Sequence, residues 1–144
     1  AAHAAAALDQ NTDFLLANQY YTLAGPCTEM CLYEIAAQAM TDTASGRELL
    51  SGVAASKGVT QNKTTGMEAR MLGEVALATC GMDVSEVNPI IDKVIRLYEK
   101  DLGRAPQGKK FQECYDARSL EPSDEYVAIY DHAIDVLGQC GFEM

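Results

Sequence analysis

The sequence predicts an α/β fold, in the form of two strand–helix units followed by a helical tail. Three observations carry this expectation. An apolar run, Phe14-Leu15-Leu16-Ala17, leads through Asn18-Gln19-Tyr20-Tyr21 to a Gly25-Pro26 turn and then a helical pattern. A second short run, 47–56, precedes a polar loop and another helical pattern. Beyond that loop the apolar stripes all have helical period.

The opening, Ala1 to about Gln10, is helical by propensity but carries no start signal. Thr12-Asp13 introduces the first strand, expected from Phe14 to Asn18. A helix is expected from Thr28, with Met30, Leu32, Ile35, Ala36, Ala39 and Met40 on one stripe, ending in the polar run 41–46. Residues 47–56 are small and apolar and are read as a buried strand, because Lys57-Gly58 and the polar loop 60–66 follow. The helix after Gly66 turns Met67, Met71, Leu72, Val75 and Ala78 inward and should stop at Gly81. The next, from about Ser85, turns Val87, Ile91, Val94, Ile95 and Tyr98 inward. Pro89 suits only its first turn and Gly103 its stop. Residues 105–110 are a loop, and Phe111 to Tyr115 a short packing segment. The last helix has Ser123 as N-cap, Asp124 and Glu125 in its first turn, a stripe from Tyr126 to Leu137, and Gly138 as its expected stop.

The chain has 144 residues, whereas a closed eight-unit barrel needs about 250. Together with an opening in mid-helix, this predicts one partial domain over residues 1–144 with no internal boundary: the C-terminal portion of a larger α/β domain. The composition is 48% hydrophobic and 22% charged, enough for a real core, and the net charge is −10. That charge argues against nucleic acid and anionic membranes as partners, since both require Lys/Arg patches. It suits solubility or a basic partner. No apolar run approaches the length of a membrane span. The five cysteines are scattered and odd in number, the pattern of reduced thiols in a cytosolic protein.

Most chemical constellations have bland explanations. His3 and His132 stand apart, whereas zinc wants several converging ligands. Cys27 and Cys31 lie one helical turn apart, but Glu34 stands where an iron–sulfur loop would place a third cysteine. No metal is therefore assigned. Cys27 could be activated by a helix start, yet a packed thiol is the simpler reading. Residues 57–66 resemble a phosphate loop without its Gly-Lys-Ser/Thr spacing, and a polar surface loop explains them. Glu29/Glu34 and Asp131/Asp135 fit solvated helix faces, and Met67, Met71 and Met82 fit core filler. The Asn18–Tyr21 cluster at a strand end is where α/β proteins build sites. Gln19 offers donors and an acceptor and Tyr21 a hydroxyl, so together they could orient a small nitrogenous or carbonyl group. Neither is a nucleophile near neutral pH, so the reactive group must come from elsewhere. A polar turn packed over the following helix is the competing account.

Several blocks carry a family resemblance: 18–21, Gly25-Pro26-Cys27-Thr28-Glu29-Met30-Cys31-Leu32, Thr41 to Glu48, and Lys63-Thr64-Thr65-Gly66-Met67-Glu68-Ala69-Arg70-Met71. Ser85-Glu86-Val87-Asn88 and Phe111 to Asp116 extend it. From about Asp13 onward the chain resembles the C-terminal third of the monomethylamine methyltransferases. The resemblance implies a TIM-type (β/α)8 barrel, a homo-oligomer in the cytoplasm of a methylotrophic methanogen, and methyl transfer from methylamine to the cobalt of a partner corrinoid protein. It implies pyrrolysine as the covalent group, located earlier in the family's chain, so that this chain binds no cofactor itself. By position, Gln19 and Tyr21 match the glutamine and tyrosine that hydrogen-bond around the pyrrolysine ring. The alternative expectation is a stand-alone structural or protein-binding α/β module.

Overall fold

The structure, a computed structural model, describes residues 2–144. Its elements are helix α1 (Ala2–Asn11), strand β1 (Ala17–Tyr21), helix α2 (Glu29–Ala44), strand β2 (Leu49–Ala54), and helices α3 (Gly66–Thr79), α4 (Val84–Tyr98), α5 (Phe111–Cys114) and α6 (Asp124–Gln139). Short 3-10 turns occupy Ser56–Gly58 and Glu99–Arg104. The two strands pair in parallel, with α2 as the crossover. This bears out an α/β chain of two strand–helix units with a helical tail.

The centre of the molecule is α2. The stripe expected from its sequence is buried, but so are Cys31, Tyr33, Glu34, Ala37 and Asp42. The helix is wrapped on nearly all sides rather than amphipathic, as befits a helix apolar around most of its circumference. It packs chiefly on α3 and α4. Met71, Val75, Val87, Val94, Tyr126, Tyr130 and Leu137 join it in one core cluster. Thr28 caps its first turn, as the sequence suggests, accepting from the Cys31 amide.

Elsewhere the structure corrects the sequence reading at particular residues. β1 begins three residues later than expected, because Phe14 and Leu15 are 67% and 84% exposed and pair with nothing. β2 is not a buried strand: Leu49 and Ser51 lie open on one face. Pro89 sits in the second turn of α4, not the first. Its missing N–H leaves the Ser85 carbonyl unpaired, but both residues are exposed, so water can take its place. Gly103 does not stop α4, which already gives way to a 3-10 turn at Glu99. Gly138 lies inside α6, and the chain turns instead at Gly141, whose φ is +96°. Gly81, with φ +87°, does end α3 as expected.

Buried polar groups hold the elements together. Glu68 is wholly buried and closes the α3 capping box by accepting from the Thr65 amide, while its other oxygen accepts the Tyr126 hydroxyl. α6 is thereby locked to the start of α3. Burial raises the Glu68 pKa above its ordinary value, and the Tyr126 hydroxyl bond opposes that shift. Glu34, expected on a solvated face, is 5% exposed and accepts from the Leu23 and Ala24 amides at 2.7 and 2.9 Å. Its pKa is raised from 4.5 by burial, with the two amide bonds opposing. An acid whose folded pKa lies above its unfolded one contributes stability below the unfolded value, and loses it as pH rises through the folded value.

Two predictions follow from these groups. Tyr126→Phe should destabilise the 144-residue chain by about 1–3 kcal/mol, the cost of leaving a buried carboxylate oxygen unpaired. Circular dichroism melts check this, and an unchanged melting temperature would contradict the role given to the hydroxyl. Glu34→Gln should flatten the loss of stability that the parent chain shows as pH rises above about 4.5. Equal slopes in the two proteins would show that Glu34 titrates as freely when folded as when unfolded.

Candidate functional site at the strand ends

Strand alternation decides where the Asn18–Tyr21 cluster points. Successive side chains face opposite ways, and β1 alternates accordingly: Asn18 and Tyr20 face α2, while Gln19 and Tyr21 stand on the open face. Tyr20 is fully buried and Tyr21 is 54% exposed. The four residues are therefore two pairs with different work. Asn18 donates to Asp42 on α2. Tyr20 lies against the same carboxylate, which, after burial, is the next cause of its raised pKa. Gln19 and Tyr21 stand opposite, on the face that α2 does not cover.

The strand partner is irregular where Gln19 sits. Asn18 pairs with Leu50 and Tyr20 with Val53, so three steps on β2 match two on β1. The extra residue falls at Ser51-Gly52, and Gly52 has φ +112°, which a side chain would strain. Ser51 donates from its hydroxyl to the Asn18 carbonyl at 3.0 Å. Such a bulge adds local twist and re-aims neighbouring side chains. The lone glycine within the apolar run 49–54 was the available sequence signal for it. Beyond the bulge, Tyr21 pairs with Ala54, and its ring packs over Gly58, where an added Cβ would lie 3.1 Å from Tyr21 Cε1.

Both strands end at the same edge, and three chain segments form a rim there. The Ser56 and Lys57 amides donate to the Ala24 and Thr22 carbonyls at 3.1 and 2.7 Å. Residues 105–110 cross the first of these loops as a strap. The Gly25 amide donates to Pro106 and the Lys109 amide to Pro26, each at 2.9 Å. The approach is so close that a Cβ on Gly25 would fall 1.9 Å from the Gln107 carbonyl oxygen. Lys63, expected in a polar surface loop, is instead buried, and its ammonium donates to the Gln107 and Gly108 carbonyls. Nothing in its sequence neighbourhood marked it as a clamp.

The remaining candidates are spread apart. His3 lies exposed on α1, while His132 on α6 pairs with Glu29 at 2.9 Å. Cys27 and Cys31 are buried, and burial pushes both thiols above their ordinary pKa. Cys27 is thus a packed thiol and not an activated one. Its φ of +60° serves the turn in the loop from β1 to α2. Among the described residues no three His, Cys, Asp or Glu side chains converge as a metal site, and no helix is long and apolar enough to cross a membrane. Asp131 and Asp135 are solvated, and Met67 and Met71 are core.

Comparison with known proteins places this geometry in a family. The model of the monomethylamine methyltransferase MtmB family matches residues 1–142. Monomethylamine methyltransferase MtmB2 of Methanosarcina barkeri is 60% identical over 138 residues, which span 96% of this chain and 30% of that protein. MtmB of Methanosarcina mazei is 58% identical over the same length. The crystal structure of the Methanosarcina barkeri enzyme superposes with a TM-score of 0.96 at 58% identity, covering 98% of this chain and 31% of that one. A second matching structure, also with a TM-score of 0.96, is of the hydroxylamine complex of MtmB. The chain therefore spans about a third of the length of its relatives, and it belongs to the monomethylamine methyltransferase MtmB family.

Proposed function

We propose that the chain is the C-terminal part of a monomethylamine methyltransferase, supplying the closing strand–helix units of a TIM-type barrel and the residues that orient the amine. The observation that carries this reading is the shared open face of Gln19 and Tyr21 at the C-terminal ends of two parallel strands. That edge is where barrel enzymes assemble their sites. Leu49 and Ser51 share the openness of that face, and Phe14 and Leu15 precede it uncovered. Apolar side chains left bare on a two-stranded sheet are accounted for if further strands of a barrel cover them.

The donor set fits the chemistry that the family implies. An amide and a phenol are neutral and supply both donors and an acceptor, so they can fix the direction of a small nitrogen compound without bringing charge into an enclosed space. In the whole enzyme the pyrrolysine supplies the covalent capture of the amine, and the corrinoid carried by the partner protein receives the methyl group. This chain's own part is orientation, which lowers the entropic cost of transfer. β1 gives Gln19 and Tyr21 a rigid base, because Asn18 and Tyr20 anchor its other face to α2. A cytoplasmic homo-oligomer completes the proposal.

The test uses full-length enzyme, made by joining this chain behind the remaining part of a Methanosarcina barkeri relative. Gln19→Ala and Tyr21→Phe should each lower kcat/KM for methylamine by about tenfold, the effect of one lost hydrogen bond in a closed site. Melting temperatures should stay unchanged, since Asn18 and Tyr20, not these two side chains, anchor β1 to α2. Parent-like turnover in both variants would remove the orienting role.

A further inference from the structure

The rim has a charge pattern opposite to that of the chain. Residues 22–28, 55–66 and 102–112 carry Lys57, Lys63, Arg104, Lys109 and Lys110 and no Asp or Glu, although the chain has 21 acidic residues against 11 Lys and Arg. These segments are separate in sequence and are brought together by the backbone bonds that tie the strap and the 3-10 turn to the loop after β1. Two of the five cations are already committed. Lys63 is buried on backbone carbonyls, and Lys109 pairs with Glu125. Lys57, Arg104 and Lys110 are exposed, and among the described residues none has a carboxylate within ion-pair distance. Lys57 and Arg104 line one cleft of about 180 Å³ with Leu23, Leu102, Ala105 and Gln107, and no acid lines it. The flanking acids Asp101 and Glu113 lie outside that lining, and Glu113 spends a carboxylate oxygen on the Lys110 backbone amide at 2.6 Å.

We propose that this cationic rim is the docking surface for an acidic face of a partner protein, the one that brings the methyl acceptor to the Gln19/Tyr21 face. The identity of the partner rests on the methyl-transfer reading; the charge pattern does not. An acceptor must approach from the strand ends, since α2 closes the other face of β1. An acidic partner would be repelled by much of a chain of charge −10 and attracted at this rim, which favours one orientation as well as a faster encounter. The rim is built for rigidity rather than for a flexible grip. Gly25 and Gly108 let the strap touch the loop, and a Cβ on Gly108 would fall 2.3 Å from the Pro26 carbonyl oxygen. The apolar floor from Leu23 and Leu102 gives the cleft surface to bury once the charges have met.

The experiment measures methyl transfer by the joined full-length enzyme described above, with the corrinoid protein as acceptor and with free cob(I)alamin as a second acceptor. Lys57→Glu/Arg104→Glu/Lys110→Glu should raise KM for the corrinoid protein by about tenfold or more, with kcat and the KM for methylamine unchanged. In the parent enzyme that KM should rise with salt, and the triple variant should lose the dependence. Equal KM values and equal salt slopes would overturn the docking role. So would an equal loss with free cob(I)alamin, which would make the rim a site for the corrinoid's own anionic groups. Lys57→Gln/Arg104→Gln/Lys110→Gln, expected to show a smaller rise of the same kind, decides the matter if the charge-reversed protein folds poorly. No methyl transfer by the parent to either acceptor would instead count against the methyl-transfer reading; binding of the corrinoid protein, measured by salt-dependent titration of parent and variants, would then judge the rim by itself.

Discussion

The structure depends on the grip that α2 keeps on β1 through two buried carboxylates. Asp42 takes the Asn18 amide near the start of the strand, and Glu34 takes the backbone amides of Leu23 and Ala24 just past its end. The two acids are eight residues apart, about 12 Å along the helix axis, so one helix spans the strand and holds both ends. Arg47 completes the lower grip, bonding to Asp42 at 2.9 Å and to the Ala17 carbonyl at 3.1 Å. Burying carboxylates is costly unless their oxygens are satisfied. Here each has two partners, and the outcome is a strand whose position and rotation are fixed. The open face of β1, with Gln19 and Tyr21, is then not needed to hold the strand on α2.

That division explains what could be read from the sequence. Gln19 and Tyr21 stand out by their donor and acceptor groups and by the family resemblance, whereas the strand is expected to stop at Asn18; its run to Tyr21 is what puts both on one face. Period-3.6 stripes locate α2, α3, α4 and α6. What escaped were features set by tertiary surroundings. Glu34 belongs by pattern to a solvated face, yet the loop after β1 folds over it and supplies two donors. Phe14-Leu15 has strand composition but no neighbour to pair with, so the strand starts where β2 begins to run beside it, the Leu49 amide donating to the Leu16 carbonyl. Pro89 and Gly138 sit inside helices because each is exposed, where water or a tolerant backbone absorbs the defect. Lys63 could not be identified as a clamp, since its acceptors are main-chain carbonyls more than forty residues away.

Net charge hides a comparable distinction. An overall −10 suggests an acidic object with a basic partner, but the three stretches that form the strand-end rim carry five cations and no acids of their own. The average describes solubility, while the distribution describes where a second molecule can approach. Tertiary structure creates the rim by joining three stretches of which none is conspicuous alone. Lys63 contributes indirectly: buried under the strap, it holds residues 107 and 108 against the loop and so keeps Arg104 and Lys110 on the same edge as Lys57.

The two surfaces at the strand ends are therefore chemically complementary in purpose. The face of β1 presents neutral groups, and the rim presents charges. Charges in an enclosed site would have to be desolvated, at a cost that rises steeply as water is excluded. Neutral amide and hydroxyl groups keep their directional bonding under the same conditions, and so they suit the orienting role proposed for Gln19 and Tyr21. Charges at the rim stay in water until a partner arrives, so they act at a distance without that cost. If Gln19 were replaced by Glu, the face would gain a charge with no cation beside it on β1 or β2, and the carboxyl would be driven toward its protonated form as the site closed. On the proposed reading, long-range attraction is kept at the rim and short-range orientation on the strand face.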